Sequence, residues 1–242
     1  MKSETLSLVV PVYNEQDAIG DVLRQWCRML DGLGIDYGLY AYNDGSKDNT
    51  LQAMTSAAEE IGNGRIHIVD KPNSGHGPTI LRGYRERAAE STWTFQMDSD
   101  NEMGPETFGE LWKRREQYSF LLGSRDGREQ AFPRKVMSFV SRQVVRIFYG
   151  KTVWDVNSPY RLMKNADFAA LFPTIPDSTF APNLIVSGYV GLKGLSFTEI
   201  PVPHQNRQTG EVSIKKWKLF KAGVKALVQT VSYRFRRHHE GR

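Results

Sequence analysis

The sequence predicts an α/β chain whose mostly parallel sheet carries helices on both faces. Three observations lead there. Short apolar, β-rich runs alternate with segments whose apolar residues recur at helical spacing. Four of those runs in succession end in loops rich in Asn, Asp and Gly, as parallel strands do where they turn into crossover helices. The length of 242 residues, with 40% hydrophobic and 24% charged residues, suits one large domain with a full core. No internal repeat, low-complexity tract or linker splits off a second domain.

Leu6 to Val12 reads as a buried strand, ended by Pro11 and Asn14. Ile19, Val22, Leu23, Trp26 and Leu30 then mark a helix that Gly32 and Gly34 stop. A second strand, Tyr37 to Tyr42, runs into Asn43-Asp44-Gly45-Ser46-Lys47-Asp48-Asn49-Thr50, a turn followed by a helix N-cap at Asp48 or Asn49 and a helix to Ile61. A strand at Arg65 to Val69, a Gly-rich turn at Asn73 to Gly77, a helix from Pro78 to Ala89 and a strand from Trp93 to Met97 follow. Right-handed crossovers put the strand-end loops on one edge of such a sheet. Beyond it, Pro105 opens a helix to Gln117, and Ser119 to Gly123 is a strand. Val136, Phe139, Val140, Val144, Ile147 and Phe148 mark an amphipathic helix closed by Gly150. Asp155 to Met163 is mixed loop and strand. Helices around Ala166 to Phe172 and Pro182 to Val190, a strand from Leu195 to Val202 and a last helix from about Ile214 to Phe235 complete the chain.

Composition excludes several classes. The single cysteine, Cys27, rules out an internal disulfide and a cysteine zinc site and fits a reducing compartment. The N-terminus lacks the pattern of a secretory signal, and no run reaches the roughly 18 apolar residues of a membrane span. The expected location is the cytoplasm, free or peripheral on the cytosolic face of a membrane. The net charge of +5 sits in the tail, because nine Lys or Arg lie from Lys215 onward against one acid, Glu240. That distribution points to an anionic surface facing the tail and not to nucleic acid.

The chemistry centres on Phe95-Gln96-Met97-Asp98-Ser99-Asp100-Asn101-Glu102. Alternate side chains of a strand share a face, so Asp98 and Asp100 can point the same way where the chain leaves the sheet. Carboxylate oxygens there suit a hard cation, Mg²⁺ or Mn²⁺, that also holds phosphate oxygens; an ordinary Asp/Asn turn is the competing reading. Three other loops on the same edge decide between them. Pro11-Val12-Tyr13-Asn14-Glu15 offers an aromatic face and a carboxylate, Asp44 sits at the mouth of the second strand, and Asn73-Ser74-Gly75-His76-Gly77 brings backbone N–H groups to a helix N-terminus that favours anions. An aromatic ring and carboxylates for base and ribose, with a metal for a diphosphate, describe a nucleotide-diphosphate site.

Together Val9-Val10-Pro11-Val12-Tyr13-Asn14-Glu15, Asn43 to Thr50, Asn73 to Gly77 and Asp98-Ser99-Asp100 resemble family 2 glycosyltransferases of the GT-A (Rossmann-like) fold, from about Leu6 to Ser213. Gly123-Ser124-Arg125, Arg134-Lys135-x-x-Ser138, Ser158-Pro159-Tyr160-Arg161 and Arg207-x-x-Gly210 make the chain most similar to dolichyl- or polyprenyl-phosphate mannose or glucose synthases. The resemblance implies a catalytic domain over residues 1–212 and a basic C-terminal helix and tail over 213–242. It implies that Pro11, Tyr13, Glu15 and Asp44, with Asn73 and Gly75 of the glycine loop, hold the nucleotide. Asp98 and Asp100 would serve the metal and diphosphate, with Glu102 in place of a metal-ligating Gln. Arg125 and Arg207 would grip diphosphate or acceptor phosphate, Arg134 and Ser138 the lipid phosphate, and Arg161 would belong to the same acceptor set. Three features depart from those synthases: Pro159 stands where they usually carry Gly, the Arg207 to Lys215 signature is stretched, and these 242 residues hold no C-terminal membrane span of the kind many of them carry.

The implied reaction is inverting, metal-dependent transfer of a hexose from a GDP- or UDP-sugar to a polyprenyl phosphate. A sugar hydroxyl acceptor is the alternative, and a non-catalytic nucleotide-sugar-binding subunit the second. Asp98, Asp100, Arg125 and Asp155 are the catalytic candidates; Asp155 or Glu102 would be the general base for a hydroxyl acceptor, whereas a phosphate needs none. In the last helix, Trp217, Phe220, Val224, Leu227, Val228, Val231 and Phe235 form one apolar stripe flanked by lysines. It suits either an anionic membrane interface or packing on the domain.

Overall fold

The computed structural model describes residues 4–126, 132–203 and 216–240; the side chains of 126, 132–134, 216–220 and 237–240 lie outside that description. The order of elements is β1 (Thr5–Val12), α1 (Ile19–Gly32), β2 (Asp36–Asp44), α2 (Thr50–Ile61), β3 (Ile66–Lys71), α3 (His76–Ala88) and β4 (Trp93–Gln96). Then come α4 (Phe108–Arg114), β5 (Phe120–Asp126), α5 (Phe132–Tyr149), β6 (Arg161–Lys164), α6 (Asn165–Phe168), α7 (Pro182–Lys193), β7 (Phe197–Pro203) and α8 (Lys216–Glu240). The strands form a seven-stranded sheet in the order β3-β2-β1-β4-β6-β5-β7. β1 to β4 are parallel, β6 is antiparallel to both β4 and β5, and β7 is parallel to β5. The expected mostly parallel sheet with helices on both faces is therefore what the chain builds.

The central strands of the sheet are buried on both faces. Leu6, Leu8, Val10 and Val12 of β1 join one core with α1, α2 and α4, while Val9 joins the other with α3, α5, α7 and α8. A central parallel strand buried on both sides reads as a continuous apolar run, as this one does. In α1 the buried set is Ile19, Val22, Leu23, Trp26, Cys27 and Leu30, one helical stripe laid on the sheet. Trp26 meets Phe95, Phe108 and Tyr160 with ring centroids 5.3, 5.6 and 5.8 Å apart. Truncating such a residue to Ala costs about 3–5 kcal/mol.

Differences from the expected boundaries are local. α3 starts at His76 and not at Pro78, because Pro78 lies in its first turn, where its missing N–H would have no helical partner. The expected helix from Pro105 to Gln117 is α4 flanked by 3₁₀ turns at Pro105–Thr107 and Arg115–Gln117. The expected helix to Phe172 ends at Phe168 and resumes as a 3₁₀ turn at Phe172–Thr174. Among the described residues, no helix is long and apolar enough to cross a membrane.

Candidate active site

The parallel strands β1 to β4 deliver their loops to one edge, and hydrogen bonds lace those loops together. The Asn14 N–H donates to Ser46 Oγ (3.0 Å), the Lys47 N–H to Asn14 Oδ1 (2.9 Å) and the Glu15 N–H to Thr50 Oγ1 (2.8 Å). Asn14 adopts a left-handed φ of 53°, a conformation that Asn tolerates better than most residues. The Glu15 carbonyl accepts from Ala18 and Ile19 and starts α1, although no side chain caps it. Pro11 is enclosed within β1, Tyr13 is half-buried at its mouth, and Glu15 is buried.

Asp44 was expected to face a base or ribose. The structure corrects this, because its carboxylate is already committed. It pairs with Lys71 Nζ and accepts the N–H groups of Ser74 (2.8 Å) and Gly75 (2.9 Å), and the residue is 3% exposed. Asn73 Nδ2 donates to the Asp44 carbonyl at 2.7 Å. Asp44 is thus the post on which the glycine loop is tied. Burial works to raise its pKa, but the Lys71 hydrogen bond and the Ser74 N–H prevail and hold it below the ordinary 3.8. Gly75 needs its φ of 95°, and at Gly77 a Cβ would fall 2.1 Å from the Phe180 carbonyl, so only glycine lets α3 begin there.

Below the acidic turn, Gln96 Oε1 accepts from Tyr84 Oη and from Asn183 Nδ2 (2.9 Å), a buried polar knot between α3, β4 and α7. Gln96 Nε2 in turn reaches Asp98 Oδ1 at 3.4 Å. Met97 and Ser99 are buried while Asp98 and Asp100 are half-exposed, so the two carboxylates share the outward side as their spacing predicts. Asp100 Oδ1 accepts the Glu102 N–H at 3.2 Å, closing a turn through Asn101 at φ 56°. His76 Nε2 stands 3.6 Å from Asp98 Oδ1.

Across from this turn, Arg125 at the end of β5 makes a two-pronged contact with Asp155, Nε to Oδ2 at 2.8 Å and Nη2 to Oδ1 at 2.7 Å. Burial alone would lower the Arg125 pKa. The hydrogen bond and charge of Asp155, with the charges of Asp98 and Glu102 beside them, raise it. Arg125, Asp155, Asp98 and Glu102 thus form one electrostatic group although they are spread over 58 positions of sequence. Glu199 of β7 supports it from behind, its Oε1 accepting the N–H groups of Trp154 and Asp155 (3.2 Å to Asp155).

Two sequence expectations change here. Arg161 is 0% exposed and donates to the carbonyls of Ser158 (2.9 Å), Asn183 (3.2 Å) and Val156 (3.4 Å). It clasps the loop before β6 to α7 and has no face for a phosphate. Asp155 spends both oxygens on Arg125, so its geometry positions that guanidinium and does not suit a base. Ser138 is exposed on α5. Arg207 lies outside the described residues, as does the side chain of Arg134.

The site offers hard oxygen donors for a divalent cation. Asp98 and Asp100 face outward together, and Arg125 senses the negative charge of Asp98 and Glu102. Among the described residues no three His, Cys, Asp or Glu side chains form a ready-made cage. A cation held there would therefore draw its remaining oxygens from substrate, as Mg²⁺ and Mn²⁺ do on diphosphates. Sequence reasoning passed over Lys71, Glu199 and the Gln96–Tyr84–Asn183 knot. Only Lys71 left a local signal, a lone cation closing a strand just before a glycine loop.

A family description, "Glycosyl transferase family 2", matches residues 7–172, a span that contains the laced loops, the acidic turn and the Arg125–Asp155 pair. The chain belongs to this family. Among curated relatives of this family 2 chain, it is 28% identical over 207 residues to "Undecaprenyl-phosphate 4-deoxy-4-formamido-L-arabinose transferase" of Enterobacter sp. (strain 638), covering 85% of this chain and 61% of the relative. It is 27% identical over 220 residues to the protein of the same name from Sodalis glossinidius (strain morsitans), covering 90% and 65%. The chain thus spans a little over three fifths of the length of these relatives. The solved glucosyl-3-phosphoglycerate synthase from Mycobacterium tuberculosis in complex with Mn²⁺ and UDP-glucose shares the fold, with a TM-score of 0.68 at 17% identity over 95% of this chain and 79% of that one.

Proposed function

We propose that this family 2 chain transfers a sugar from a nucleoside diphosphate sugar to a polyprenyl phosphate, with inversion at the anomeric carbon and with Mg²⁺ or Mn²⁺. The observation that carries this reading is the fork of Arg125 on Asp155. It fixes a charged guanidinium within the field of Asp98 and Glu102 and leaves Asp155, one of the two candidate bases, unsuited to take a proton. An acceptor that arrives anionic needs no base, and a phosphate is such an acceptor. The name shared by both relatives, which specifies undecaprenyl phosphate, agrees with that choice. Their named sugar is an arabinose derivative and the solved neighbour holds UDP-glucose, so the hexose expected from the sequence stays a proposal.

In this reading Tyr13, Pro11 and Glu15 border the nucleoside, and the glycine loop tied by Asp44 supports it. Asp98 and Asp100 would hold the cation, which would supply neutralisation of the diphosphate charge. Glu102 is the further oxygen donor expected from the sequence, although the described residues form no ready-made three-ligand group. An acceptor phosphate oxygen attacks the anomeric carbon on the face opposite the diphosphate. The new C–O bond forms as the bond to the β-phosphate oxygen breaks, and the electron pair leaves with the nucleoside diphosphate. Arg125 stabilises the charge that accumulates there, and its preorganisation by Asp155 avoids reorganisation during the reaction. The test crosses UDP- and GDP-sugars with undecaprenyl phosphate and with free sugars. Labelled glycolipid from the lipid phosphate is expected; transfer only to sugar hydroxyls, or donor binding without turnover, would overturn the reading.

A further inference from the structure

The lipid phosphate reading leaves open how the protein meets an acceptor that resides in a membrane, and α5 and α8 bear on that question. α8 docks on the fold through Ala226, Thr230 and Tyr233, all buried. Tyr149 Oη donates to the Thr230 carbonyl at 2.6 Å, and Arg234 Nε donates to the Phe148 carbonyl at 3.1 Å. At about 100° per residue, that buried face lies roughly opposite the stripe centred on Val224, Val228 and Phe235. Those three stay exposed, Val228 at 59%. The helix thus packs through Ala226, Thr230 and Tyr233, with Leu227 partly against the core, and still turns Val224, Val228 and Phe235 outward.

α5 repeats the arrangement. Ser141, Val145 and Tyr149 are buried, while Val136, Phe139, Val140 and Ile147 are exposed, Ile147 at 73%. The two helices lie side by side in the same direction, Gly223 against Met137 and Phe148 against Phe235 (ring centroids 5.8 Å apart). Their outward ridges are therefore neighbours. At the site end the ridge meets Trp154, 60% exposed, with the Arg142 guanidinium 3.4 Å from its ring centroid. Trp154 is next to Asp155 in the chain, so this surface borders the Arg125 fork. Its charge has one sign: α5 carries Arg134, Lys135, Arg142 and Arg146 and no acid, and the only acid in α8 is its last residue, Glu240.

We propose that the outward faces of α5 and α8, with Trp154, form a docking surface for an anionic lipid bilayer. Exposed aliphatic ridges would sit at the headgroup–acyl boundary, with the flanking cations on anionic headgroups and the tryptophan at the interface level. Such a seat sets the Arg125 fork beside the lipid surface. The sequence stripe in α8 was one half of this surface; α5 and Trp154 supply the other half, nearer the site. The proposal extends the acceptor reading but can fail separately from it.

The test sediments the full chain with vesicles of phosphatidylglycerol and phosphatidylcholine that contain no polyprenyl phosphate. Binding about tenfold or more tighter than to phosphatidylcholine alone is expected, weakening as salt rises. The double variant I147E/V228E should lose about tenfold or more of that binding, with an unchanged melting temperature. L51E, at an exposed leucine of α2 on the other face of the sheet, should bind as the parent does. Equal binding by parent and I147E/V228E overturns the proposal, as does a parent that binds neither vesicle. A lipid-free dimer that I147E/V228E disperses also overturns it, since a second copy would then own the surface. Transfer to a short, water-soluble polyprenyl phosphate analogue, measured on the same variant, should be unchanged; it reports on the acceptor reading alone.

Discussion

The two sides of the candidate site are built on opposite principles. On the β1–β4 side the loops bond to one another: Asn14 to Ser46 and Lys47, Glu15 to Thr50, Asp44 to Lys71, Ser74 and Gly75. On the β5–β7 side, Arg125, Asp155 and Glu199 form one chain of contacts at the site, the Arg161 clasp lies buried behind it, and around them cations and apolar residues face outward. The first side is a finished cradle whose polar groups are largely settled before any ligand arrives. The second is a ledge open to a larger, apolar partner. A compact donor and a long-chained acceptor call for that asymmetry, since preorganisation favours the small ligand and exposed area the large one.

Removing the cation's seat should have the largest effect. Asp100→Ala is expected to lower kcat by about 10³-fold or more, in line with the loss of a main electrostatic stabiliser of a leaving diphosphate. Circular dichroism should be unchanged, and a chelator should abolish parental transfer in the same assay. Activity that persists in the variant at saturating Mn²⁺ would move the metal away from Asp98 and Asp100. Arg125→Ala comes next, at about 10²–10³-fold in kcat for one lost charge-stabilising donor. Donor KM should change little, because the donor cradle is on the other side. A donor KM that rises as much as kcat falls would break the division into two sides.

Asp44 tests the cradle through stability. Lys71 and Asp44 are both nearly enclosed, and removing one partner strands the other, so Asp44→Ala is expected to cost about 3–5 kcal/mol in denaturant unfolding. The pH dependence has a definite sign. The folded pKa of Asp44 lies below its ordinary 3.8, so the carboxylate stabilises the fold above that value. Its contribution fades as pH falls through the still lower folded value. The gap between parent and Asp44→Ala should be constant near neutrality and narrow only below about pH 4. A gap that closes between pH 6 and 8 instead would sink the assignment of this stability to the Asp44 carboxylate.

The donor side was legible because its signals are local: an apolar run, then Asn, Asp and Gly, then a helix. Alternation placed Asp98 and Asp100 together outward within three residues of chain. The misread residues depend on contacts far away in sequence. Arg161 stands in a stretch that resembles an acceptor motif, but the Asn183 carbonyl of α7, 22 positions on, closes its burial. Asp44 reads as an open carboxylate until Lys71, 27 positions later, arrives beside it. In α8, periodicity marked a stripe of which Val224, Val228 and Phe235 are exposed, Leu227 packs partly on the core, and the side chains of Trp217 and Phe220 lie outside the described residues. It could not say which face meets protein, because Ala226, Thr230 and Tyr233 make the contact. β6 is only four residues long and reverses the sheet's direction between β4 and β5, a topological fact without a local pattern.

The smallest predicted effect falls on Glu199, and it separates positioning from packing. Its Oε1 holds the backbone of Trp154 and Asp155, and Asp155 holds Arg125, so Glu199 acts two bonds away from the charge it serves. Burial raises its pKa against the two N–H donors, and so a neutral amide oxygen should accept the same bonds at little cost. Glu199→Gln should therefore keep most of the activity, while Glu199→Ala should lose about tenfold in kcat, the order expected when a supporting hydrogen-bond partner is removed. Donor KM should hold in both variants. A purely packing role would let Gln and Ala lose stability alike and leave kcat untouched in the folded fraction. Rescue by Gln with a kcat loss in Ala would show instead that Arg125 on the open side of the site depends on this chain of contacts through Glu199 and Asp155.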